Sequence, residues 1–305
     1  MQHLLSLYDL SSDEIFELIE LAIKLKKDLK NKNTTQYLKG RSLGMIFSKS
    51  STRTRVSFEV GMYQLGGQAL FLSNHDIQIG RGESVSDTAK VLSRYLDGVM
   101  IRTFKQSDVE EFAEQGTIPV INGLTDDQHP CQVLADLQTI YEHKKKLKGL
   151  KLAYIGDGNN MAHSLLHGCT KVGMHIAIAS PEHYTCNPRF VEEAQKTAKE
   201  TNVTVLMTQD PTLAIRDADV VYTDTWASMG QEAEKEKRSK IFADYQINTE
   251  LFGKAAKNAI FLHCLPAYRG LEVASEVIDG PQSVVFDEAE NRLHAQKAVM
   301  VKLMG

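Results

Sequence analysis

Five consecutive side chains near the N-terminus are suited to holding a phosphate. Ser51, Thr52, Arg53, Thr54 and Arg55 follow an apolar run that predicts a strand, and they begin a pattern that predicts a helix. The N–H groups and the positive dipole end of a helix start favour an anion. The hydroxyls add donors, and the Arg53 guanidinium can bind a phosphate through two parallel hydrogen bonds. The alternative is a polar helix start whose arginines pair with surface acids.

Three later side chains can act on a carbonyl group and its amide. Arg102 stands at the end of a predicted strand, where parallel sheets open their ligand crevices, and His129 precedes a predicted helix. Both can donate to a carbonyl oxygen on which negative charge develops. Gln132, in the first turn of that helix, can hold an amide group. The alternatives are a strand-end salt bridge for Arg102 and a hydrogen-bonded core histidine for His129.

The second half of the chain has a glycine-rich turn at Gly156 and Gly158, after a predicted strand. This pattern is typical of a dinucleotide site, but Met161 stands where the third glycine of that fingerprint belongs. A nicotinamide cofactor, and with it a dehydrogenase, is therefore disfavoured. Asn160 can meet a substrate carboxylate at the helix start, and helix capping by Asn159 and Asn160 is the alternative.

Acidic and thiol groups follow in the second half. Asp224 comes after an apolar run, and its carboxylate can bind the α-amino group of an amino acid. An isolated cysteine such as Cys264 is commonly a small buried apolar residue. Some histidines and cysteines are of metal-ligand type, but their spacing is not that of common zinc motifs, so the sequence predicts no metal. These are His129, Cys131, His263 and Cys264.

Together these segments resemble the aspartate/ornithine carbamoyltransferase family. The run 51–55 is similar to the carbamoyl-phosphate signature of that family, and the other matching segments follow in the expected order over essentially the whole chain. The segments 228–230 (Ser-Met-Gly) and 263–266 (His-Cys-Leu-Pro) resemble the ornithine branch rather than the aspartate branch. The remaining matches are Arg102, 129–132, 156–160, 224–227 and 290–292.

The resemblance implies transfer of a carbamoyl group from carbamoyl phosphate to the δ-amine of L-ornithine, giving L-citrulline and phosphate in arginine metabolism. It implies three catalytic residues, Arg102, His129 and Cys264, with Cys264 and Asp224 facing the δ-amine. A partly desolvated pocket would favour the neutral amine, whose usual pKa is about 10.4. The residues implied for carbamoyl phosphate are Ser51, Thr52, Arg53, Thr54, Gln78, Arg102, His129, Gln132, Cys264, Leu265 and Arg292. Those implied for ornithine are Asn160, Asp224, Ser228 and Met229.

The resemblance also implies an assembly. Gln78, in the polar segment 76–84, would reach the phosphate in a neighbouring chain's site, which implies a homotrimer. Arg292 would bring the last helix back to the site. No cofactor is implied. The alternatives left open are another acceptor amine, such as aspartate, putrescine or an acylated ornithine, and a non-catalytic sensor of a phosphorylated metabolite and an amino acid.

Hydrophobic periodicity indicates the elements that must position these residues. Strand-like runs alternate with helical patterns, which predicts parallel sheets covered on both faces. We expect an α/β fold of two lobes, each a mainly parallel sheet flanked by helices, with the active site in the cleft between them. The expected lobes are 1–147 for carbamoyl phosphate and 148–285 for ornithine, with a C-terminal helix at 286–305 returning to the first. The predicted strands are 43–47, 69–72, 99–101, 118–121, 152–155, 175–179, 203–207, 220–223, 260–262 and 284–286.

Local signals mark several helix starts. Ser11 and Glu14 form a capping-box pattern ahead of apolar residues at helical spacing. Ser107 is a predicted N-cap, and Asn187 is a second, followed by proline at the first helical position. The charge-dense stretch 231–240 is interpreted as a solvated helix.

Composition limits the remaining possibilities. The chain has 305 residues, of which 42% are hydrophobic and 24% charged, with a formal net charge of −4. The length favours two lobes, and the composition excludes disordered, collagen-like and disulfide-scaffold classes. No general attraction to nucleic acid or to an anionic membrane is expected. Without a signal-peptide or membrane-spanning pattern, and with four dispersed cysteines that suit a reducing compartment, we expect a soluble cytoplasmic protein.

Overall fold

The chain divides into two compact units. The structure, a computed structural model, describes residues 1–74, 77, 82–227 and 234–305. The first unit comprises Met1–Gln138 and Glu290–Gly305, and the second comprises Thr139–Ala289. Both divisions fall inside helices, namely α5 (Pro130–Lys144) and α12 (Val285–Met304). The chain therefore passes from one unit to the other without an irregular linker.

Within the described residues, the first unit has a four-stranded parallel sheet in the order β2-β1-β3-β4. Helices alternate with the strands, which confirms the predicted α/β class. Its strands are β1 Ser42–Phe47, β2 Gln68–Ser73, β3 Gly98–Arg102 and β4 Val120–Leu124. Its helices before α5 are α1 Ser12–Lys30, α2 Thr52–Gln64, α3 Val85–Leu92 and α4 Gln106–Gln115.

The described part of the second unit has a five-stranded parallel sheet in the order β7-β6-β5-β8-β9. The order of the strands reverses at β5, because β6 and β7 follow on one side of it and β8 and β9 on the other. Open α/β sheets bind ligands at the carboxyl ends of the strands at such a point. Its strands are β5 Lys151–Ile155, β6 His175–Ala179, β7 Val205–Thr208, β8 Val220–Tyr222 and β9 Ile260–Leu262. Its helices between α5 and α12 are α6 Asn160–Lys171, α7 Pro188–Thr201, α8 Pro211–Ile215, α9 Lys235–Ile241, α10 Thr249–Phe252 and α11 Ser275–Ile278.

Each sheet has its own apolar core. In the first unit, apolar residues of β1, β3 and β4 pack with those of α4, among them the fully buried Phe112. In the second, the strands β5, β6 and β8 pack against Trp226 and Phe242, whose rings are stacked with centroids 5.7 Å apart. The cores hold the strand ends at fixed positions, and the candidate site residues follow those ends.

The two longest helices differ in how clearly the sequence marks them. In α1 the Ser11 side chain accepts from the Glu14 N–H, and the Glu14 carboxylate accepts from the Ser11 N–H, so the predicted capping box is confirmed. Helix α12 starts in an apolar stretch without such a box. Throughout the described ranges, every helix is too short or too polar to cross a membrane.

The predicted strand at 284–286 is wrong, because α12 begins at Val285. The Val284 N–H donates to the Phe261 carbonyl (3.0 Å), so the segment meets the edge of β9 just before the helix begins. Phe286 is 73% exposed on the helix surface. A run of three apolar residues is too short for periodicity to distinguish a strand from a buried helix start.

The predicted N-cap at Ser107 is also wrong. Helix α4 begins at Gln106, so Ser107 lies inside its first turn. The N-cap position is Lys105, whose side chain makes no capping hydrogen bond. The Gln106 Oε1 atom accepts from Asn122 Nδ2 (3.0 Å) and from Thr125 Oγ1 (2.8 Å). These bonds to β4 and its following loop fix the helix start in place of a cap.

Candidate active site

The start of α2 has the geometry of an anion site. Ser51 caps the helix, since its Oγ accepts from the Thr54 N–H (3.2 Å) and lies 3.1 Å from Thr54 Oγ1. Thr52 is exposed, Arg53 is half-buried and Thr54 is buried. The helix follows β1 directly, so its N-terminal N–H groups lie at the carboxyl edge of the first sheet.

Arg102 and His129 lie at the same edge. Arg102 is the last residue of β3 and pairs in register with Phe47 of β1, and its carbonyl accepts from the Ser48 N–H (2.8 Å). Arg102 and His129 are 5% and 6% exposed. Burial and the charges of Arg292, Arg102 and Arg53 hold the pKa of His129 well below its ordinary value. His129 is therefore a neutral imidazole that can donate one hydrogen bond.

Arg292 of α12 connects two helix starts in the first unit. Its Nη1 donates to Gln132 Oε1 in α5 (2.5 Å) and its Nη2 donates to Thr54 Oγ1 in α2 (3.3 Å). Gln132 in turn donates to Asp136 Oδ1 (2.8 Å). All four residues are buried. The structure therefore brings Arg292 together with the 51–54 segment, which local sequence patterns alone do not indicate.

The neighbouring basic residues have other partners. Arg55 Nε donates to Glu59 (3.0 Å), and the Arg55 guanidinium lies 3.8 Å from the centroid of Phe71. Lys49 pairs with Asp126 and lies over the ring of Phe104. Arg53 is thus the arginine of this run whose charge acts on His129.

In the second unit, Asn159 connects the start of α6 to Asp224. Its Oδ1 accepts from the N–H groups of Met161 (3.0 Å) and Ala162 (3.3 Å), and its Nδ2 donates to Asp224 Oδ2 (2.9 Å). Capping is therefore confirmed for Asn159, whereas Asn160 is the first residue of the helix. Gly158 is required by space, because a Cβ there would lie 2.2 Å from the backbone nitrogen of Cys186.

Asp224 and Cys264 form a carboxylate–thiol pair beyond the carboxyl ends of two strands of the second sheet. Cys264 Sγ donates to Asp224 Oδ1 (3.1 Å), and the same oxygen accepts from the Thr225 N–H (2.7 Å). Asp224 follows β8 and Cys264 follows β9, which are adjacent parallel strands. Three donors thus converge on a carboxylate that is 8% exposed. This arrangement suits the binding and orientation of an amine.

His263 supports the turn that carries Cys264. Its Nδ1 accepts from the Leu265 N–H (2.9 Å), its Nε2 lies 3.2 Å from Glu272 Oε1, and its own N–H donates to Glu288 (2.9 Å). Leu265 has a φ of 56°, which is costly for a leucine, so the turn needs such support. Asp224, His263 and Cys264 have ligand-type atoms within 4.8 Å of one another, but both ring nitrogens of His263 are already engaged. The supporting glutamates have no sequence signal that sets them apart from surface acids.

The interpretation of 231–240 as a solvated helix is wrong at Arg238. This residue of α9 is 6% exposed, and its Nη1 donates to Asp157 Oδ2 (2.6 Å) and to the Trp226 carbonyl (2.9 Å). Burial raises the pKa of Asp157 and the Arg238 charge opposes that rise. Because the neighbouring residues are mostly lysines and glutamates, the sequence gives no sign that Arg238 is the buried cation of this segment. Three predicted site residues lie outside the described residues, namely Gln78, Ser228 and Met229.

The fold and the two clusters define a class of protein, a two-domain α/β protein with a cluster suited to an anion in one domain and a cluster suited to an amine in the other. The family model described as aspartate/ornithine carbamoyltransferase, carbamoyl-P binding domain, matches residues 2–142. The model for the Asp/Orn binding domain matches residues 148–303. The chain belongs to the aspartate/ornithine carbamoyltransferase family, and the resemblance seen in its sequence is confirmed.

Relatives match over nearly the full length. The chain is 60% identical to an ornithine carbamoyltransferase of Caldicellulosiruptor saccharolyticus, covering 99% of this chain and 98% of that protein. It is 61% identical to one of Symbiobacterium thermophilum, covering 99% and 97%. A solved structure of ornithine carbamoyltransferase from Pyrococcus furiosus is 51% identical, with a TM-score of 0.97 over 100% of this chain and 97% of that one.

Proposed function

We propose that this protein transfers the carbamoyl group of carbamoyl phosphate to the δ-amine of L-ornithine, giving L-citrulline and phosphate. The observation that carries the proposal is the cluster of Arg53, Arg102, His129 and Arg292 beside the start of α2. A cluster of three guanidinium groups and a neutral imidazole suits a doubly charged phosphate next to a polarised carbonyl. The names of the relatives supply the acceptor, L-ornithine.

The first unit would hold carbamoyl phosphate. Ser51, Thr52, Arg53 and Thr54 would bind the phosphate with the helix N–H groups, and Gln78 of a neighbouring chain would add a contact. Arg102 and His129 would donate to the carbonyl oxygen, and Gln132 would hold the amide. Arg292 donates hydrogen bonds to both Thr54 and Gln132. It is therefore suited to set the distance between Thr54, which would contact the phosphate, and Gln132, which would contact the amide. Cys264 and Leu265 would complete the carbamoyl contacts.

The second unit would hold ornithine. Asn160 would meet the α-carboxylate at the start of α6, and Asp224 would bind the α-amino group. Ser228 and Met229 would complete the amino-acid contacts. The Cys264 thiol already donates to Asp224, so the pair is suited to orient the δ-amine and to favour its neutral form. Two expectations stay predictions. One is that residues 1–147 bind carbamoyl phosphate and residues 148–285 bind ornithine, with 286–305 returning to the first lobe. The other is that the site lies in a cleft.

The reaction requires attack of the neutral δ-nitrogen on the carbonyl carbon. A carbon–nitrogen bond forms, and negative charge moves onto the carbonyl oxygen, where Arg102 and His129 would stabilise it. The bond from that carbon to the phosphate oxygen then breaks, and the phosphate leaves while held by Arg53 and Arg292. The amine proton passes to the departing phosphate or to the Cys264–Asp224 pair. Carbamoyl phosphate is expected to bind first, because a labile donor must be shielded from water.

A substrate titration tests the proposal. Purified protein with carbamoyl phosphate should release phosphate and form a ureido product with L-ornithine, and it should turn over poorly with L-aspartate, putrescine or N-acetylornithine. Turnover of putrescine without turnover of ornithine would refute the acceptor. Tight calorimetric binding of both ligands without phosphate release would instead support a sensor.

We also propose a homotrimer, supported by an exposed apolar face on the first unit. Strand β2 is at the edge of its sheet, and Leu70 and Phe71 on it are each more than one third exposed. Val60 and Tyr63 on the adjacent α2 are exposed as well, Tyr63 by 82%. Exposed apolar edges of this kind commonly meet another chain. Light scattering of purified protein should give three times the chain mass of 34.1 kDa, and a monomer mass would refute the trimer.

The cellular setting is likewise a proposal. The four cysteines are not joined by disulfides, which suits the reducing cytoplasm. The products and substrates place the reaction in arginine metabolism. Fractionation of the source cells would test the location.

A further inference from the structure

A cavity of about 590 Å³ lies in the second unit, at the carboxyl ends of β6 and β7 and beside the start of α7. Its lining shares no residue with the Asp224–Cys264 pair or its supporting turn. Clefts at the carboxyl ends of parallel strands are the usual ligand sites of α/β sheets, and this volume is typical of small-molecule sites. The lining consists of Ile178, Ser180, Thr185, Cys186, Pro188, Val191, Glu192, Met207, Thr208 and Gln209.

Ser180 has the most buried polar side chain of this lining. It follows β6, is 1% exposed, and its N–H donates to the Thr208 carbonyl (3.1 Å). Its hydroxyl oxygen has no hydrogen-bond partner among the residues that the structure describes. A buried hydroxyl without a partner is unfavourable, so a ligand that bonds it would recover that free energy. The hydroxyl can donate or accept, because its hydrogen rotates.

The rest of the lining favours an uncharged and largely apolar molecule. Burial raises the pKa of Cys186 to about 12, so its side chain is a neutral thiol. No lysine, arginine or histidine lines the described wall, and Glu192 is exposed at its rim, so an anion would find no counter-charge. Ile178, Val191 and Met207 offer apolar contacts, and a methionine sulfur packs well against aromatic rings.

We propose that this cavity binds an uncharged aromatic molecule through one hydroxyl or amide group that hydrogen-bonds to Ser180. The ring lies against Ile178, Val191 and Met207. The site is separate from the residues assigned to ornithine and carbamoyl phosphate, so its occupancy does not depend on the reaction proposed above.

The test uses 2-naphthol as a probe on the full chain, with ¹³C-methyl-labelled methionines observed by NMR. Met207→Leu assigns the Met207 signal. Adding 2-naphthol should move this signal in a saturable manner and leave Met45, which is fully buried in β1, unmoved. No movement of the Met207 signal up to the solubility limit of 2-naphthol would overturn the proposal, as would equally tight binding of the anion 2-naphthoate.

Two variants test the geometry. Ser180→Ala should weaken 2-naphthol binding by about three- to tenfold, the loss expected for one neutral hydrogen bond. Val191→Trp, at a partly exposed position of α7, should fill the cavity and abolish the Met207 shift while the circular dichroism spectrum is retained. Ser239→Ala on α9 is the matched control and should leave the dissociation constant unchanged. Unchanged binding in both Ser180→Ala and Val191→Trp would overturn the assignment.

Discussion

Arg53 and Arg55 are two positions apart on α2 and differ in what surrounds them. At the surface, Arg55 donates a hydrogen bond to Glu59 and lies over the ring of Phe71, whereas the Arg53 charge acts on the buried His129. Their sequence context is nearly the same, but side chains two positions apart on a helix point about 200° apart, so the two arginines have different surroundings. The two residues therefore form a matched pair for experiment.

Arg53→Ala should raise the dissociation constant for carbamoyl phosphate by about ten- to a hundredfold, because it removes charge-assisted hydrogen bonds to the phosphate. Arg55→Ala should change it less than about twofold, since that side chain is already paired. Isothermal titration with inorganic phosphate and with carbamoyl phosphate measures both. Equal losses in the two variants would remove Arg53 from the site.

Cys264 is half-buried, unlike the other three cysteines, and it donates to a carboxylate. Cys264→Ser should lower kcat/KM for ornithine by about tenfold or more, because a hydroxyl replaces the thiol in orienting and deprotonating the amine. The affinity for carbamoyl phosphate should change much less. Steady-state kinetics with ornithine as the varied substrate, alongside phosphate calorimetry, separates the two effects. A loss confined to carbamoyl-phosphate affinity would contradict the assigned role.

At the scale of elements, the sequence predicts long periodic segments better than short ones. Helix α1 has a capping box and a sustained apolar face, so its sequence suffices to identify it. The segment 284–286 has only three apolar residues, and its contact with Phe261 depends on the distant β9. Long-range contacts of this kind decide the local structure and leave no local pattern.

The same limit applies to the candidate site. The α2 start and the strand-end position of Arg102 follow from local patterns, and the structure has both. The bonds from Arg292 to Gln132 and Thr54 span 160 and 238 residues of sequence, so periodicity alone does not predict them. The burial of Arg238 is another such case, since seven-residue α9 is mostly exposed and only this cation turns inward.

Arg238→Met should destabilise the protein by about 3 kcal/mol, because Asp157 then stays buried without its cation. Adding Asp157→Leu to Arg238→Met should recover part of this loss, because the double variant has no buried carboxylate left without a cation. Lys240→Met is the matched control, since its pair with Glu236 is exposed and should contribute less than about 0.5 kcal/mol. Urea unfolding measures all three. A loss for Arg238→Met as small as that for Lys240→Met would contradict the buried pair.

At the scale of the whole molecule, buried histidines couple folding to pH. Burial, with His163, Lys171 and Arg189 acting in the same direction, lowers the pKa of His167 to about 3, although the Glu193 carboxylate lies 3.1 Å from its Nε2. Burial, with the charge of Lys297 adding to it, lowers the pKa of His294 to about 4. The unfolded chain, with histidine near pKa 6.5, binds more protons than the folded chain over the interval between these values. Their contribution is therefore complete above about pH 6.5 and is lost as the pH falls toward 4.

His167→Gln should flatten this dependence. Between pH 6 and pH 4 the free energy of unfolding should fall less steeply for the variant than for the parent protein. The two slopes should differ by about 1 kcal/mol per pH unit, which is the slope for one proton. Urea unfolding at pH 7, 6, 5 and 4 gives the slopes. His183→Asn, at an exposed loop position with a φ of 68°, is the control and should keep the parent slope. Parallel curves for His167→Gln and the parent would refute the coupling.

The last helix has a consequence for how the protein is made. Residues Glu290–Gly305 belong to the first unit, and Arg292 bonds Thr54 and Gln132, which are synthesised much earlier. Domains generally fold as the N-terminal part of the chain emerges from the ribosome. Here the first unit lacks residues 290–305 until the whole second unit has been synthesised, so the Arg292 bonds to Thr54 and Gln132 form late in its folding.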